Sequence, residues 1–230
     1  MLYDVIFTRR QVQKFNTDLV ESETVDSIAE HLYSTRQMDG LNADFEVVPA
    51  QAISGSQGAA FAILSYCGNN AFDYANVGFV LQEADLYIQN IGLGSGWFMS
   101  AKPNNSRDDF CIALLFGGTD VPFRKGAGEF KRKPISEICS ESNNIAEAVR
   151  LAPSSMNSQP WRLSFSEGRV IVEEAGRGIA RMILKNKLNK IDMGIASRHA
   201  VTTLENDGKT ITRVEPVQRD KKFLIEISYE

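Results

Sequence analysis

At 230 residues with 43% hydrophobic and 23% charged content, the chain suits one large globular domain or two small ones around a shared core. A net charge of −4 argues against a nucleic-acid partner, which would call for a basic surplus, and no apolar run is long enough to cross a bilayer. Two histidines leave little for a zinc site or a Ser-His-Asp triad, and three scattered cysteines without a C-x-x-C pair read as reduced thiols of a cytoplasmic protein.

No signal-peptide pattern opens the chain, and its first chemical feature is Arg9-Arg10-Gln11-Val12-Gln13-Lys14-Phe15. Two adjacent guanidinium groups followed by amides suit a phosphate, though a solvated basic patch has the same composition. Residues 20–36 carry Val25, Ile28, Ala29 and Leu32 at helical spacing, and 44–50 and 60–67 read as strands. An apolar helix over 77–91 runs into Gly92-Leu93-Gly94-Ser95-Gly96-Trp97. Those glycines close a helix instead of opening one, so a dinucleotide fingerprint fails; Gly92 suits a helix cap, and the others admit a close neighbour. A buried strand follows over 109–117, then five cations in Arg124-Lys125 and Lys131-Arg132-Lys133.

After a charged connector over 127–142 comes a helix at 143–152 and the segment 152–161, Ala-Pro-Ser-Ser-Met-Asn-Ser-Gln-Pro-Trp. Two prolines bracket a run of polar side chains, giving a rigid loop able to present hydroxyls, amides and backbone groups to a planar heterocycle. Strands at 161–166 and 169–174, a helix at 192–205 and a closing strand at 223–230 complete the chain. Asp26 to Glu30 resembles Asn143 to Glu147, Phe45 matches Trp161, and Asn76-Val77-Gly78 matches Asp192-Met193-Gly194, all spaced by about 116 residues. The pattern predicts two copies of one helix–strand–strand–helix unit, divided as 1–135 and 136–230.

Taken as a set, these segments resemble the signatures of the FMN-dependent nitroreductase family. Arg9 to Phe15 matches R-R-S-x-R-x-F apart from Gln11 and Gln13; 152–161 matches A-P-S-x-x-N-x-Q-P-W; Gly92 to Trp97 matches G-L-G-T-x-W with Ser95 at the Thr position; Arg132-Lys133-Pro134 matches the basic R-K-P segment. The resemblance implies an α+β fold with an antiparallel-rich sheet flanked by helices, and the helices 77–91 and 192–205 buried between the halves. It also implies FMN as cofactor, NAD(P)H as electron donor and a small oxidised acceptor such as a nitroaromatic or quinone.

In such dimers the arginine motif of one subunit and the A-P-S loop of the other share an FMN. Here the first repeat has 36–42 in place of the loop, while the second keeps the loop and lacks the glycine segment. One site between fused halves is therefore expected, so that a monomer suffices. Arg9, Lys131 and Arg132 would hold the phosphate, with Arg10, Gln11 and Gln13 beside them. Pro153, Ser154, Ser155 and Asn157 would meet the ring or ribityl chain, and the backbone of Leu93, Gly94 and Ser95 the flavin edge. No side-chain nucleophile is required. The neutral Gln13, where the motif has a cation, keeps open a flavin-binding or flavin-processing protein without NAD(P)H turnover. A flavin-free protein with a purely structural 152–161 loop is the remaining alternative.

Overall fold

The computed structural model describes residues 1–16, 18–105, 107–175 and 187–230. A short helix α1 (Leu2–Ile6) leads to helix α2 (Ser22–Ser34) and strands β1 (Asp44–Pro49), β2 (Ile53–Ser54) and β3 (Phe61–Tyr66). Helix α3 (Ala71–Asn90) follows, then strands β4 (Gly94–Phe98), β5 (Lys102–Pro103) and β6 (Phe110–Gly117). Helix α4 (Asn144–Arg150), strands β7 (Trp161–Ser166) and β8 (Arg169–Glu174), helix α5 (Leu188–Asn206) and strands β9 (Ile211–Arg219) and β10 (Lys222–Tyr229) complete the order.

Two four-stranded antiparallel sheets result, ordered β1-β3-β6-β4 and β7-β8-β10-β9. In each, the third strand in sequence forms the edge beside the fourth, and a long helix connects the second to the third. The first sheet is covered on both sides. Ile63 and Leu114 face the main core, while Ala62, Leu64 and Leu115 face a second cluster with Val12, Phe15 and Ile53. That two-sided burial explains why β3 and β6 read as continuous apolar runs. Strand β7 alternates instead: Trp161 and Leu163 point inward, Arg162 and Ser164 outward.

The long helices α3 and α5 are buried around most of their circumference, so neither shows a polar stripe. Asn70 caps α3, its side chain accepting from Phe72 N–H at 2.9 Å and Asp73 N–H at 3.1 Å. The helices touch at two glycines. A Cβ on Gly78 would collide with the Ile191 carbonyl, and one on Gly194 with the Ala75 carbonyl. Beyond that contact Arg198 of α5 is buried on α3, bonding Glu83 at 2.7 Å and the Phe79 carbonyl at 3.1 Å. Among the described residues, no helix is long and apolar enough to cross a membrane.

Cys111 and Cys139 are buried and Cys67 partly so, all three as free thiols. The Cys67 and Cys111 thiols share a hydrogen bond, and that bond together with burial pushes the Cys67 thiol up.

Candidate functional site

Helix α1 delivers Arg9 directly to the interior, its N–H bonding the Val5 carbonyl at 2.7 Å. The residue is only 1% exposed. Its Nε donates to Asp85 of α3 at 2.8 Å, which compensates the charge, while its Nη2 is buried without a protein partner. Behind the pair lies a buried polar chain. Asp85 also accepts from Ser95 at 2.6 Å, Gln82 at 3.0 Å and Gln89 at 3.1 Å. Gln82 reaches His199 at 3.2 Å, and the far His199 nitrogen meets the Ala148 carbonyl at 2.8 Å. Burial is the main cause that lowers His199 to about 3, so it stays neutral and structural.

Arg9 opens onto a cleft of about 720 Å³ that also takes in Arg124 and Arg132. Arg124 donates to the Arg9 carbonyl and stacks on Phe130, its carbon 4.2 Å from the ring centre. Arg132 closes the end of α4, reaching the Leu151 and Ala152 carbonyls, both at 3.2 Å, and Asn157 Oδ1 at 2.9 Å. Burial, then repulsion from Arg9, Arg124 and Arg150, lowers Arg132 to about 10, and Arg124 is lowered by burial and by Arg9 and Arg10. Three guanidinium groups therefore crowd one wall, and among the described residues only Asp85 bonds one of them with a carboxylate there. Such a wall has the charge to attract an anion.

The opposite wall is the loop between α4 and β7. Pro153, Ser154, Ser155, Met156 and Asn157 line the cleft. Met156, Asn157 and Gln159 hold φ of 53°, 54° and 46°, left-handed conformations that cost energy without glycine. Hydrogen bonds secure them. Gln159 N–H donates to Ser154 Oγ at 2.9 Å, Lys133 Nζ to the Ser158 and Gln159 carbonyls at 2.7 and 2.9 Å, and Asn157 Nδ2 to the Lys131 carbonyl at 3.0 Å. Apolar surface fills the space between from Trp97, Ile112, Ile191 and Ile195.

Of the residues singled out in the sequence, Arg9, Gln11, Gln13, Arg132, Pro153, Ser154, Ser155 and Asn157 meet on this cleft. Gln11 is tied by both amide atoms to the Trp97 backbone, at 3.0 and 3.1 Å, while Gln13 is exposed. Arg10, Leu93, Gly94, Ser95 and Lys131 do not line it. Arg10 turns to Glu129 at 3.3 Å, Lys131 is exposed and contributes its carbonyl, and Leu93 packs on the core. Gly94 is built into β4 opposite Gly117, and Ser95 points inward to Asp85.

Arg124, a member of the cation run, also lines the cleft; Asp192, which the sequence shows only as part of a helix, escaped as a site residue. Asp192 is 3% exposed, accepting from Ser155 N–H at 2.9 Å and facing the Ser158 hydroxyl at 3.5 Å. Burial, offset in part by these bonds, raises it to about 7. The only signal available was a carboxylate at the position that the expected repeat aligns with Asn76.

The place that Asn76 occupies is closed. Met38, 1% exposed, donates its N–H to Asn76 Oδ1 at 2.8 Å. Asp39 is clamped to β9 by two bonds to the Val214 backbone, at 2.8 and 2.7 Å, and Arg36 bonds the Ile211 carbonyl at 2.9 Å. No cluster of side chains fit to hold a metal occurs among the described residues.

A fold of two antiparallel sheets around crossed helices, with a cleft of arginines facing a proline-bracketed polar loop, is that of the nitroreductases. The chain belongs to the family described as "Putative TM nitroreductase", whose model matches residues 1–203. Among solved structures it is similar to a putative nitroreductase from Thermotoga maritima, at 18% identity and a TM-score of 0.73, covering 99% of this chain and 93% of that one. It is also similar to a nitroreductase family protein from Clostridium difficile 630, at 16% identity and a TM-score of 0.50, covering 62% of this chain and 99% of that one. At these identities the likeness concerns the fold. No curated protein matches the chain.

Proposed function

We propose that the protein is an FMN-dependent oxidoreductase that passes electrons from NAD(P)H to a small oxidised acceptor such as a nitroaromatic or a quinone. The observation that carries this reading is the buried Arg9 Nη2, which has no protein partner and belongs to a trio of mutually repelling guanidinium groups facing a polar loop. A phosphate monoester would relieve that repulsion and complete the hydrogen bonding.

The residues fit FMN. Arg9, Arg124 and Arg132 would hold the phosphate, and Ser154, Ser155 and Asn157 would offer hydroxyl, amide and backbone groups to the ribityl chain and ring. Trp97, Ile112, Ile191 and Ile195 supply the apolar wall that a flat heterocycle needs. Bound there, the flavin would supply the hydride chemistry, and these residues would hold and orient it. The reduced thiols are consistent with a cytoplasmic setting.

The chain reads as two fused halves, 1–135 and 136–230. Supporting this are the matching strand orders of the two sheets, the reciprocal Gly78–Ile191 and Gly194–Ala75 contacts, and the paired bonds from Asn76 to Met38 and from Asp192 to Ser155. The halves complement each other: arginines come from the first and its basic segment, the loop from the second.

Titration with FMN, followed by the visible spectrum and by quenching of free FMN fluorescence, tests the cofactor. Failure to bind at micromolar FMN sinks the oxidoreductase reading. A second reading, flavin binding without NAD(P)H turnover, is favoured by the neutral Gln11 and Gln13; Gln11 is engaged with Trp97 and adds no charge near the ring. Steady-state oxidation of NADH and NADPH by the loaded protein separates the two.

A further inference from the structure

Among the described residues that line the cleft, Asp192 is the one carboxylate. It lies near the start of α5 with no cation paired to it among those residues. Among the described residues, these nearby charged groups are engaged elsewhere. Arg9 bonds Asp85, Arg124 the Arg9 carbonyl, and Arg132 the end of α4. Lys190 on the same helix bonds Glu174, and Lys133 behind the loop bonds the Ser158 and Gln159 carbonyls.

Holding the loop does not require an acid. At the matching position of the other half, the Asn76 amide takes the equivalent backbone N–H, that of Met38, at 2.8 Å. The molecule thus contains its own control: one copy does the structural job with an amide, while the copy facing the cleft has a carboxyl. We propose that Asp192 is the proton donor for reduction of the acceptor in this cleft, a role that rests on the FMN-dependent reading above.

Reduction of a quinone needs two electrons and two protons. The acceptor receives both electrons and one proton together as a hydride from the reduced cofactor. The Asp192 O–H bond then breaks, its proton bonds to the acceptor's oxygen anion, and the carboxylate regains a proton from water entering the open cleft. An acid raised to about 7 is partly protonated at neutral pH, which suits it to this exchange.

Asp192→Asn keeps the shape and the acceptor for Ser155 N–H, so FMN affinity should be unchanged. Reoxidation of the chemically reduced, FMN-loaded variant by benzoquinone should slow roughly a hundredfold, the low end of what a positioned general acid contributes. Reoxidation by ferricyanide, which takes electrons without protons, should keep its rate, and Asp192→Glu should recover part of the quinone rate.

Infrared titration of the cofactor-free protein supplies a readout independent of turnover. A protonated-carboxyl band should fade with a midpoint near neutral pH and be missing from Asp192→Asn. An unchanged quinone rate, equal slowing with ferricyanide, a carboxyl titrating in the ordinary aspartate range, or loss of FMN binding in the variant each overturns the proton-donor role. Absence of FMN binding by the unmutated protein overturns the underlying reading as well.

Discussion

Arg9 does two jobs with one side chain, and only arginine has the geometry for both. Its Nε donates to Asp85, while Nη2 is buried without a protein partner on a side chain that lines the cleft. A lysine would keep the charge beside Asp85 but has a single nitrogen to offer. Arg9→Lys should therefore fold, yet lose roughly ten- to a hundredfold in FMN affinity, corresponding to one hydrogen bond to a charged group. Fluorescence quenching measures it, with Arg10→Lys as the comparison: Arg10 pairs with Glu129 near the surface and should change nothing.

A second expectation at this scale concerns pH. Asp192 is raised in the folded protein from 3.8 to about 7, so its contribution to stability is complete below the unfolded value and is lost as pH rises through about 7. His199 works at the other end. Lowered from 6.5 to about 3, it contributes fully above pH 6.5 and loses that contribution as pH falls toward 3. Asp192→Asn should consequently gain on the unmutated protein between pH 5 and pH 8, as urea midpoints at the two values will show. A constant difference would mean that the carboxyl is not protonated in the folded state.

Residue chemistry was legible for the 152–161 loop, where prolines and polar side chains announce a rigid presenting segment. It was less so for Ser95 and Asp192. Whether a side chain on a strand or buried helix faces a cleft or a core depends on register against neighbours, and local spacing does not contain that information.

At the scale of elements, the helix crossing sets the site. Gly78 and Gly194 let α3 and α5 approach until backbone meets backbone. Ile191, Asp192 and Ile195, all on α5 around that crossing, line the cleft. Helix propensity alone says that Gly194→Ala should stabilise by about 1 kcal/mol. The added methyl meets the Ala75 carbonyl, which has no rotamer to change, so overpacking should win and destabilise by about 1–3 kcal/mol or more. Thermal unfolding decides the sign. Gly128, whose added Cβ would meet nothing, is the control position.

Long periodic or continuous apolar segments were readable as elements: α3, β3 and β6 stand where the apolar runs place them, with ends shifted by a few residues. Two of the edge strands, β4 and β9, were not. Gly94–Phe98 reads as a glycine loop, yet pairs with β6; Ile211–Arg219 contains Pro216, which an edge position tolerates. Both gain strand structure from a neighbour, and sequence-local propensity carries no trace of that partner.

On the scale of the whole molecule, the question is how many sites one chain contains. If the chain is two fused halves, as proposed, the fold has two comparable places for a ligand, one beside Ser155 and Asp192, the other beside Met38 and Asn76. The second is filled. Met38 is buried where Ser155 is partly open, Asp39 bonds Val214 twice, and Arg36 ties the same segment to β9. Among the described residues no trio of guanidinium groups faces it, either: Arg36 bonds Asp39 and Arg198 bonds Glu83. A second FMN would have to break the ladder contacts of β9 and desolvate its phosphate without a partner. Titration should accordingly reach one FMN per chain, and sedimentation of the loaded protein should show that a species of monomer mass retains it. Two per chain would refute the idea of complementary halves while leaving the cofactor assignment intact. Binding only in a dimer would mean that the cleft, though it draws its arginines and loop from one chain, is completed by a second copy.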